Sequence, residues 1–142
     1  MVLSRDERAA FLAEPHIAAL SVVAEAGRGP LTVPLWYGYR PHGQAWILTP
    51  AASRKAALIA AAGRFTLMVQ RLEPSVRYVS VEGPVVNTTT GTEANVREMA
   101  ERYLPPDAAA AYVAMSLAQH GPQVIIEIRP EHWLSADLGR AS

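Results

Sequence analysis

Short β-rich runs separated by glycine- and proline-containing turns fill the first third of the sequence. Residues 17–25, 31–40 and 45–49 read IAALSVVAE, LTVPLWYGYR and AWILT, with AGRGP and PHGQ at the breaks between them. This spacing is typical of an antiparallel meander. Pro34 lies inside the second run and cannot donate a ladder hydrogen bond, so it predicts an edge strand, a bulge or a segment that faces a ligand.

Three later β-rich runs raise the expected number of strands to six. They are RFTLMVQR, RYVSVEGPVVN and QVIIEIRP, at residues 64–71, 77–87 and 123–130. Gly83 and Pro84 predict a bulge or bend in the second of these runs. So many strands cannot all be covered by helices in so small a domain, and closure removes exposed edges. The sequence therefore predicts a mainly β fold, a closed or half-open antiparallel barrel with peripheral helices.

Capping residues and helix breakers predict four helices around this barrel. Their expected spans are about 5–13, 54–62, 94–104 and 107–119. Ser4 and Glu7 have the spacing of a capping box at the first helix, and Thr90 and Glu93 have the same spacing ahead of the third.

Length and composition bound the class of protein. With 142 residues, half of them hydrophobic, the chain is expected to form a single domain over residues 1–142. Thirteen basic and thirteen acidic side chains leave no net charge, which argues against nucleic acid or a membrane surface as a partner. The sequence shows neither a signal-peptide pattern nor about 18 uninterrupted apolar residues, so a cytoplasmic location is expected.

The sequence contains no motif typical of a metal site or of nucleophilic hydrolysis. The chain has no cysteine, and its four histidines show neither His-x-His nor His-Glu-x-x-His spacing. No serine stands in a Gly-x-Ser-x-Gly elbow. We therefore predict no metal site and no catalytic side chain, and no feature singles out His16 or His132 as a haem ligand.

Lys55 is the only lysine in a chain with twelve arginines. It follows Ser53, a natural N-cap, and Arg54 in the predicted first turn of a helix, where cations face the positive end of the helix dipole. A bound phosphate would account for both charges, because it would accept hydrogen bonds from the serine, the first-turn amides and the two cations. The alternative is that Arg54 and Lys55 are ordinary solvated surface residues.

Residues 34–70, followed by RYVSVEG, resemble the pyridoxamine 5'-phosphate oxidase-like superfamily of flavin-binding split β-barrels. The likeness extends over about residues 17–138 and includes a strand that ends in threonine and leads to Ser-Arg-Lys at a helix start. It implies a six-stranded antiparallel split β-barrel that binds FMN. Cofactor contacts are then expected at Val33, Pro34, Leu35, Trp36, Leu48, Thr49, Ser53, Arg54, Lys55, Tyr78 and Trp133.

In that family, the strand matching residues 33–36 lies along the flavin, and Leu48 and Thr49 contact its ribityl–phosphate end. Tyr78 stands where the pyridoxamine phosphate oxidases carry a glutamine against the flavin, and Trp133 matches a position at its ring end. The segment WLSADLGR lacks the arginine and histidine that hold the substrate phosphate in those oxidases, so pyridoxamine phosphate is not expected as the substrate. The SADL tail resembles the branch that uses the deazaflavin coenzyme F-420.

The resemblance implies an oxidoreductase in which FMN carries a hydride to or from a small organic substrate. One alternative is a deazaflavin-dependent reductase of the same fold, and another is an FMN-binding module without turnover. An enzyme should have a substrate cavity walled by Trp36, Tyr78 and Trp133. Because a small barrel is filled by its own side chains, the ring must lie outside it, and we expect a homodimer with cofactor sites at the interface.

Overall fold

One long strand, β6 (Arg77–Gly91), belongs to both halves of a curled antiparallel sheet in the computed structural model. The model describes residues 1–140, so the last two residues of the predicted domain lie outside the described part. The other elements, in chain order, are α1 Arg5–Ala13, β1 Ala18–Val22, β2 Leu31–Leu35, β3 Gly38–Tyr39, β4 Ala45–Pro50, α2 Arg54–Ala62, β5 Arg64–Arg71, α3 Glu93–Tyr103, α4 Pro106–Gln119, β7 Gln123–Ile128 and β8 His132–Asp137.

The strands follow the order β2-β1-β5-β6-β7-β4-β3, with β8 beside the first half of β6. All pairings are antiparallel, and β6 pairs with β8 over residues 77–82 and with β7 from Val85 onward. The sheet therefore divides where β7 and β8 separate along β6, which confirms the predicted split barrel. Strand β2 lies at one end of this order, so Pro34 is in an edge strand as predicted.

Inward-facing residues of the strands fill the interior. Leu20, Leu67, Val69, Val79 and Val81 are fully buried and belong to one hydrophobic cluster. They recur at every second position because side chains alternate between the two faces of a strand. The packed interior leaves the outer face of the sheet as the surface available to a planar ligand.

Residues 1–140 form eight strands where six were expected. The run 31–40 divides into β2 and β3 because Trp36 and Tyr37 leave the ladder between them. The Tyr37 hydroxyl instead donates to the carbonyl oxygens of Leu12 and Glu14, at 2.5 and 3.0 Å, and its backbone N–H donates to the Tyr103 hydroxyl.

The eighth strand comes from the C-terminal segment, which was expected to be a tail. Its residues alternate regularly: Trp133 and Ser135 face Val81 and Val79, and Leu134 faces outward. Only one of the two inward residues is apolar, so the segment lacks the hydrophobic alternation that marks a strand in a sequence.

Local signals at the helix ends were mostly read correctly. Ser4 and Glu7 form the predicted capping box at α1. The box at α3 is different from the predicted one: Thr92 is the N-cap and Asn95 is its partner. Thr90 remains in β6, paired with Val124, so the prediction for this cap was wrong by two residues.

The bend expected near Gly83 is present. The register of β6 against β7 shifts between Val85 and Asn87, close to where β6 passes from one half of the sheet to the other. A Cβ on Gly83 would collide with the backbone carbonyl oxygen of Arg129. Glycine is therefore required by the close approach of two backbones.

Helices α1 and α2 pack against the interior cluster, to which they contribute Phe11, Leu12 and Ile59. Helix α2 connects β4 to β5, and α3 and α4 form a second apolar cluster that packs against Leu48 of β4. Among the described residues, no helix is both long and apolar enough to cross a membrane.

Candidate functional site

Ser53 caps α2, as its position predicted. Its Oγ accepts the backbone N–H of Ala56 at 3.1 Å, and the helix ends at Gly63, which has a left-handed φ of 73°. Thr49, at the end of β4, is fully buried and places its Oγ1 3.1 Å from the Ser53 Oγ. Strand β4 therefore fixes the serine at the positive end of the helix dipole, where the backbone N–H groups of Arg54 and Lys55 have no acceptor within the helix.

Lys55 is half-buried at this helix start. Burial lowers the pKa of its ammonium group, and no charged neighbour among the described residues offsets that effect. A partly desolvated cation without a counter-ion, placed against a helix dipole, is electrostatically unfavourable. The site therefore has the character of an anion-binding site, in agreement with the uniqueness of this lysine in the sequence.

Arg54 has a different environment. Its guanidinium forms a bidentate ion pair with Glu25 in the β1–β2 loop, with distances of 2.8 and 2.9 Å. This pairing raises the pKa of Arg54 and lowers the pKa of Glu25 to about 2. The charge of Arg54 thus has a partner within the chain, whereas Lys55 has none among the described residues.

The outer face beside β2 carries a shallow groove of about 270 Å³. Pro34 is exposed there, and the strand register aligns it with Ala19 of β1 and Met68 of β5. Val33 and Leu35 turn their side chains toward the core, so their contacts with an outer ligand would come from the backbone. Ile17, Pro34 and Met68 give this groove mainly apolar walls, which suits the face of an aromatic ring.

Leu35, Trp36 and Leu48 meet in another cavity, of about 250 Å³, between the sheet and the α3–α4 pair. The Trp36 ring stacks on Tyr103 with centroids 4.8 Å apart and approaches Tyr112 at 5.0 Å. No local pattern in the sequence predicts these two tyrosine contacts, because they join distant parts of the chain.

Tyr78 and Trp133 lie on opposite faces of the sheet. Tyr78 pairs with Ala136 on the outer face, whereas Trp133 pairs with the buried Val81 and points inward. The indole of Trp133 lies under the guanidinium of Arg8, 4.4 Å from it. Within one copy of the chain, Trp36, Tyr78 and Trp133 therefore do not line a common cavity. The structure brings together Thr49 and Ser53 beside Lys55, but it separates Trp133 from this group, and Leu48 faces the α3–α4 pair on the other side of β4.

The split barrel and the serine-capped helix after its fourth strand define a class of protein by its fold, and comparison with known families assigns the chain to a family within it. The model of the pyridoxamine 5'-phosphate oxidase family matches residues 4–136. The chain belongs to this family, as the sequence resemblance predicted. No curated protein matches it.

Several solved structures have the same fold at low sequence identity. An F-420 reductase is 21% identical with a TM-score of 0.70, and the match covers 88% of this chain and 94% of the other. A conserved hypothetical protein from Mycobacterium tuberculosis is also 21% identical, with a TM-score of 0.71. That match covers 100% of this chain and 92% of the other. An FAD-binding protein from Mesorhizobium loti is 18% identical with a TM-score of 0.62. That match covers 96% of this chain and 95% of the other.

Proposed function

We propose that the protein is an oxidoreductase that binds FMN and transfers a hydride to or from a small organic substrate. The observation that carries the proposal is the half-buried Lys55, which has no counter-ion among the described residues and lies beside the capped start of α2. Membership of the pyridoxamine 5'-phosphate oxidase family supports it. The isoalloxazine ring, when bound, would supply the redox chemistry.

The residues present fit such a cofactor at its phosphate end. The Lys55 ammonium would neutralise the phosphate, and the free first-turn amides would donate to its oxygens. If Thr49 donates to Ser53, the serine hydrogen remains free for a phosphate oxygen. The buried Thr49 would then be a positioning residue that orients the serine. The Arg54 guanidinium would reach the phosphate only if it kept one of its two hydrogen bonds to Glu25 or gave up both.

The chain's own side chains would bind, orient and shield the ring, with no acid or base required. Pro34 and its neighbours on the outer face offer a flat support. Leu48 precedes Thr49 in β4, and for it we retain the predicted contact with the ribityl–phosphate end as a proposal, although its side chain faces the α3–α4 pair. Tyr78 on the same outer face would contact a ring bound there by a partner chain. For Trp133 we retain the predicted cofactor contact as a proposal, although its ring points into the barrel.

A deazaflavin is the second candidate cofactor, since a structure similar to this one is an F-420 reductase. The phosphate site proposed at Lys55 would serve either cofactor. A binding module without turnover is the third possibility. Absorbance spectra and mass analysis of material released by heat from the purified protein would separate FMN from the deazaflavin. Turnover with reduced nicotinamide or an organic acceptor would separate an enzyme from a module.

The decisive test is Lys55→Ala. Removing one charge-assisted partner of a phosphate dianion should weaken FMN binding by about 1.5 to 3 kcal/mol, or roughly 10- to 100-fold. Riboflavin, which lacks the phosphate, should bind the variant and the wild type equally. Fluorescence titration would measure both affinities.

Arg97→Ala is the matched control, because Arg97 is an exposed cation on α3. Its removal should leave FMN binding unchanged. Equal FMN affinity in Lys55→Ala and wild type would exclude the phosphate site.

A further inference from the structure

A cavity of about 440 Å³ lies at the mouth of the barrel, far from Lys55. It is bounded by α1, by the β3–β4 turn and by the β7–β8 turn, and its walls include Tyr39 and Trp133. Strand β4 runs from this cavity toward α2, and its six residues at roughly 3.3 Å each separate the two places by about 20 Å. The cavity is therefore distinct from the proposed phosphate site.

Positive charge dominates the cavity wall. Arg5, Arg8 and Arg129 line it, whereas Glu131 is its one carboxylate among the described residues. Glu131 is held from outside the cavity by Arg64, at 3.3 Å, and Arg129 approaches it only to 3.7 Å. Three guanidinium groups thus face a single carboxylate that already has a partner.

Arg8 has the most unusual environment of the three. Its guanidinium lies over the Trp133 indole, and its Nε atom is buried without a hydrogen-bond partner among the described residues. A buried donor that remains unpaired costs free energy, and a bound acceptor removes that cost.

His42 supplies an independent sign that this place is specialised. Among the described residues it is the only non-glycine residue with a positive φ, 64°. Its backbone N–H donates to the Tyr39 hydroxyl, and its imidazole lies 3.1 Å from Asp6 of α1. This geometry ties the β3–β4 turn to the helix and holds the cavity open between them. Strained backbone of this kind is concentrated at functional sites.

We propose that this cavity binds a small organic anion, a carboxylate or phosphate group carried on an apolar body. The three arginines would bind the charged group through their guanidinium N–H groups. The apolar body would contact Ala9, Pro130 and the edge of Tyr39. A bare inorganic ion has no apolar part and cannot make these contacts.

Titration with benzoate, phenyl phosphate and inorganic phosphate tests the site, with the arginine Nε–H resonances of the labelled full chain as the readout. The Arg8 resonance should shift with benzoate or phenyl phosphate. The probe that binds more tightly identifies the anionic group as a carboxylate or a phosphate. Each should bind about tenfold more tightly than inorganic phosphate, since burying even a few methylene equivalents is worth about 1.4 kcal/mol.

Arg5→Gln and Arg129→Gln change exposed side chains, so the fold should survive, and each should weaken binding about fivefold, with the double variant weaker still. Arg97→Gln, with the same charge change on α3, should bind as wild type does. The proposal would be overturned by an Arg8 resonance that stays unmoved with all three probes. Equal binding by the double variant, or equal affinity for inorganic phosphate, would also overturn it.

Discussion

Lys55 and Arg54 are adjacent cations with different partners. The sequence-based prediction assigned both the same role, because both oppose the dipole of the same helix. The structure divides them: Glu25 neutralises Arg54, while Lys55 is half-buried and has no such partner among the described residues. A single arginine–carboxylate contact between a loop and a helix leaves no local signal, so this distinction could not be predicted from the sequence.

Glu25→Gln should tighten FMN binding. The substitution removes the carboxylate that holds Arg54 and leaves the guanidinium free to turn toward a phosphate at the start of α2. We expect a gain of roughly three- to tenfold in affinity, with riboflavin unaffected. Glu101→Gln, an exposed acid on α3, is the control and should change nothing. An unchanged FMN affinity in Glu25→Gln would show that Arg54 takes no part in the site.

The lowered pKa of Lys55 makes FMN binding dependent on pH. Burial favours the neutral amine in the free protein, and a phosphate dianion favours the ammonium form. FMN affinity should therefore fall as pH rises through the pKa of Lys55 in the free protein, which lies below its ordinary value of 10.5. Titrations in this alkaline range would measure it, and riboflavin corrects for ionisation of the ring itself. A pH profile identical for FMN and riboflavin would contradict the role of Lys55.

The same shift acts on the stability of the free protein in the opposite direction. The unfolded chain binds the Lys55 proton more tightly than the fold does, so this group's contribution to stability improves as pH rises toward 10.5. Bound phosphate would cancel that contribution by restoring the pKa of the lysine.

At the scale of elements, prediction succeeded where a signal is local. The starts of α1 and α2 follow from Ser4 and Ser53, whose hydroxyls accept backbone N–H groups of the first turn. The end of α2 follows from Gly63, which adopts a left-handed backbone conformation. Prediction failed where a partner far away in sequence decides the outcome. Strand β8 exists because residues 132–137 pair with β6, and Trp133 points inward because that register places it opposite Val81.

Gly83→Ala should destabilise the fold at the bend of β6. The added methyl group would meet the Arg129 carbonyl oxygen, a backbone atom of the β7–β8 turn, and the Arg129 N–H is itself tied to β6 by a hydrogen bond to the Pro84 carbonyl oxygen at 3.1 Å. We expect a loss of about 1 to 3 kcal/mol in the free energy of unfolding, the usual cost of overpacking. Gly29→Ala is the control, since a Cβ there meets no atom within 4 Å, and it should stay within about 0.5 kcal/mol of wild type. Urea denaturation would measure both variants, and equal stabilities would contradict the packing argument.

At the scale of the whole molecule, the outer face of the sheet carries a row of uncharged side chains. Pro34, Ala19, Met68, Ser80 and Leu134 are aligned across five strands by their register. Leu134 is 64% exposed in the single chain. A flat, uncharged row of this kind is typical of a surface that another protein covers. It is also the face on which we place the cofactor ring.

We therefore predict a homodimer built on this face. Light scattering on the holoprotein should give a mass near twice 15.3 kDa. Met68→Asp places a charge in the middle of the row and should shift the mass toward that of a single chain. Leu117→Asp, the same kind of change at an exposed position on α4, should leave the dimer intact. A wild-type monomer that retains tight cofactor would rule out the interface.

Mixing two damaged chains decides whether each cofactor site is shared between subunits. Lys55 lies at the start of α2, and Tyr78 lies on the outer face of β6, where it can reach a partner across a two-fold axis. If one site takes Lys55 from one chain and Tyr78 from the other, a Lys55→Ala chain paired with a Tyr78→Ala chain forms one intact site and one doubly damaged site. After full subunit exchange about a quarter of all sites should then bind FMN with wild-type affinity, although neither parent does. A site formed within one chain would instead leave every site singly damaged, and no wild-type affinity would return on mixing.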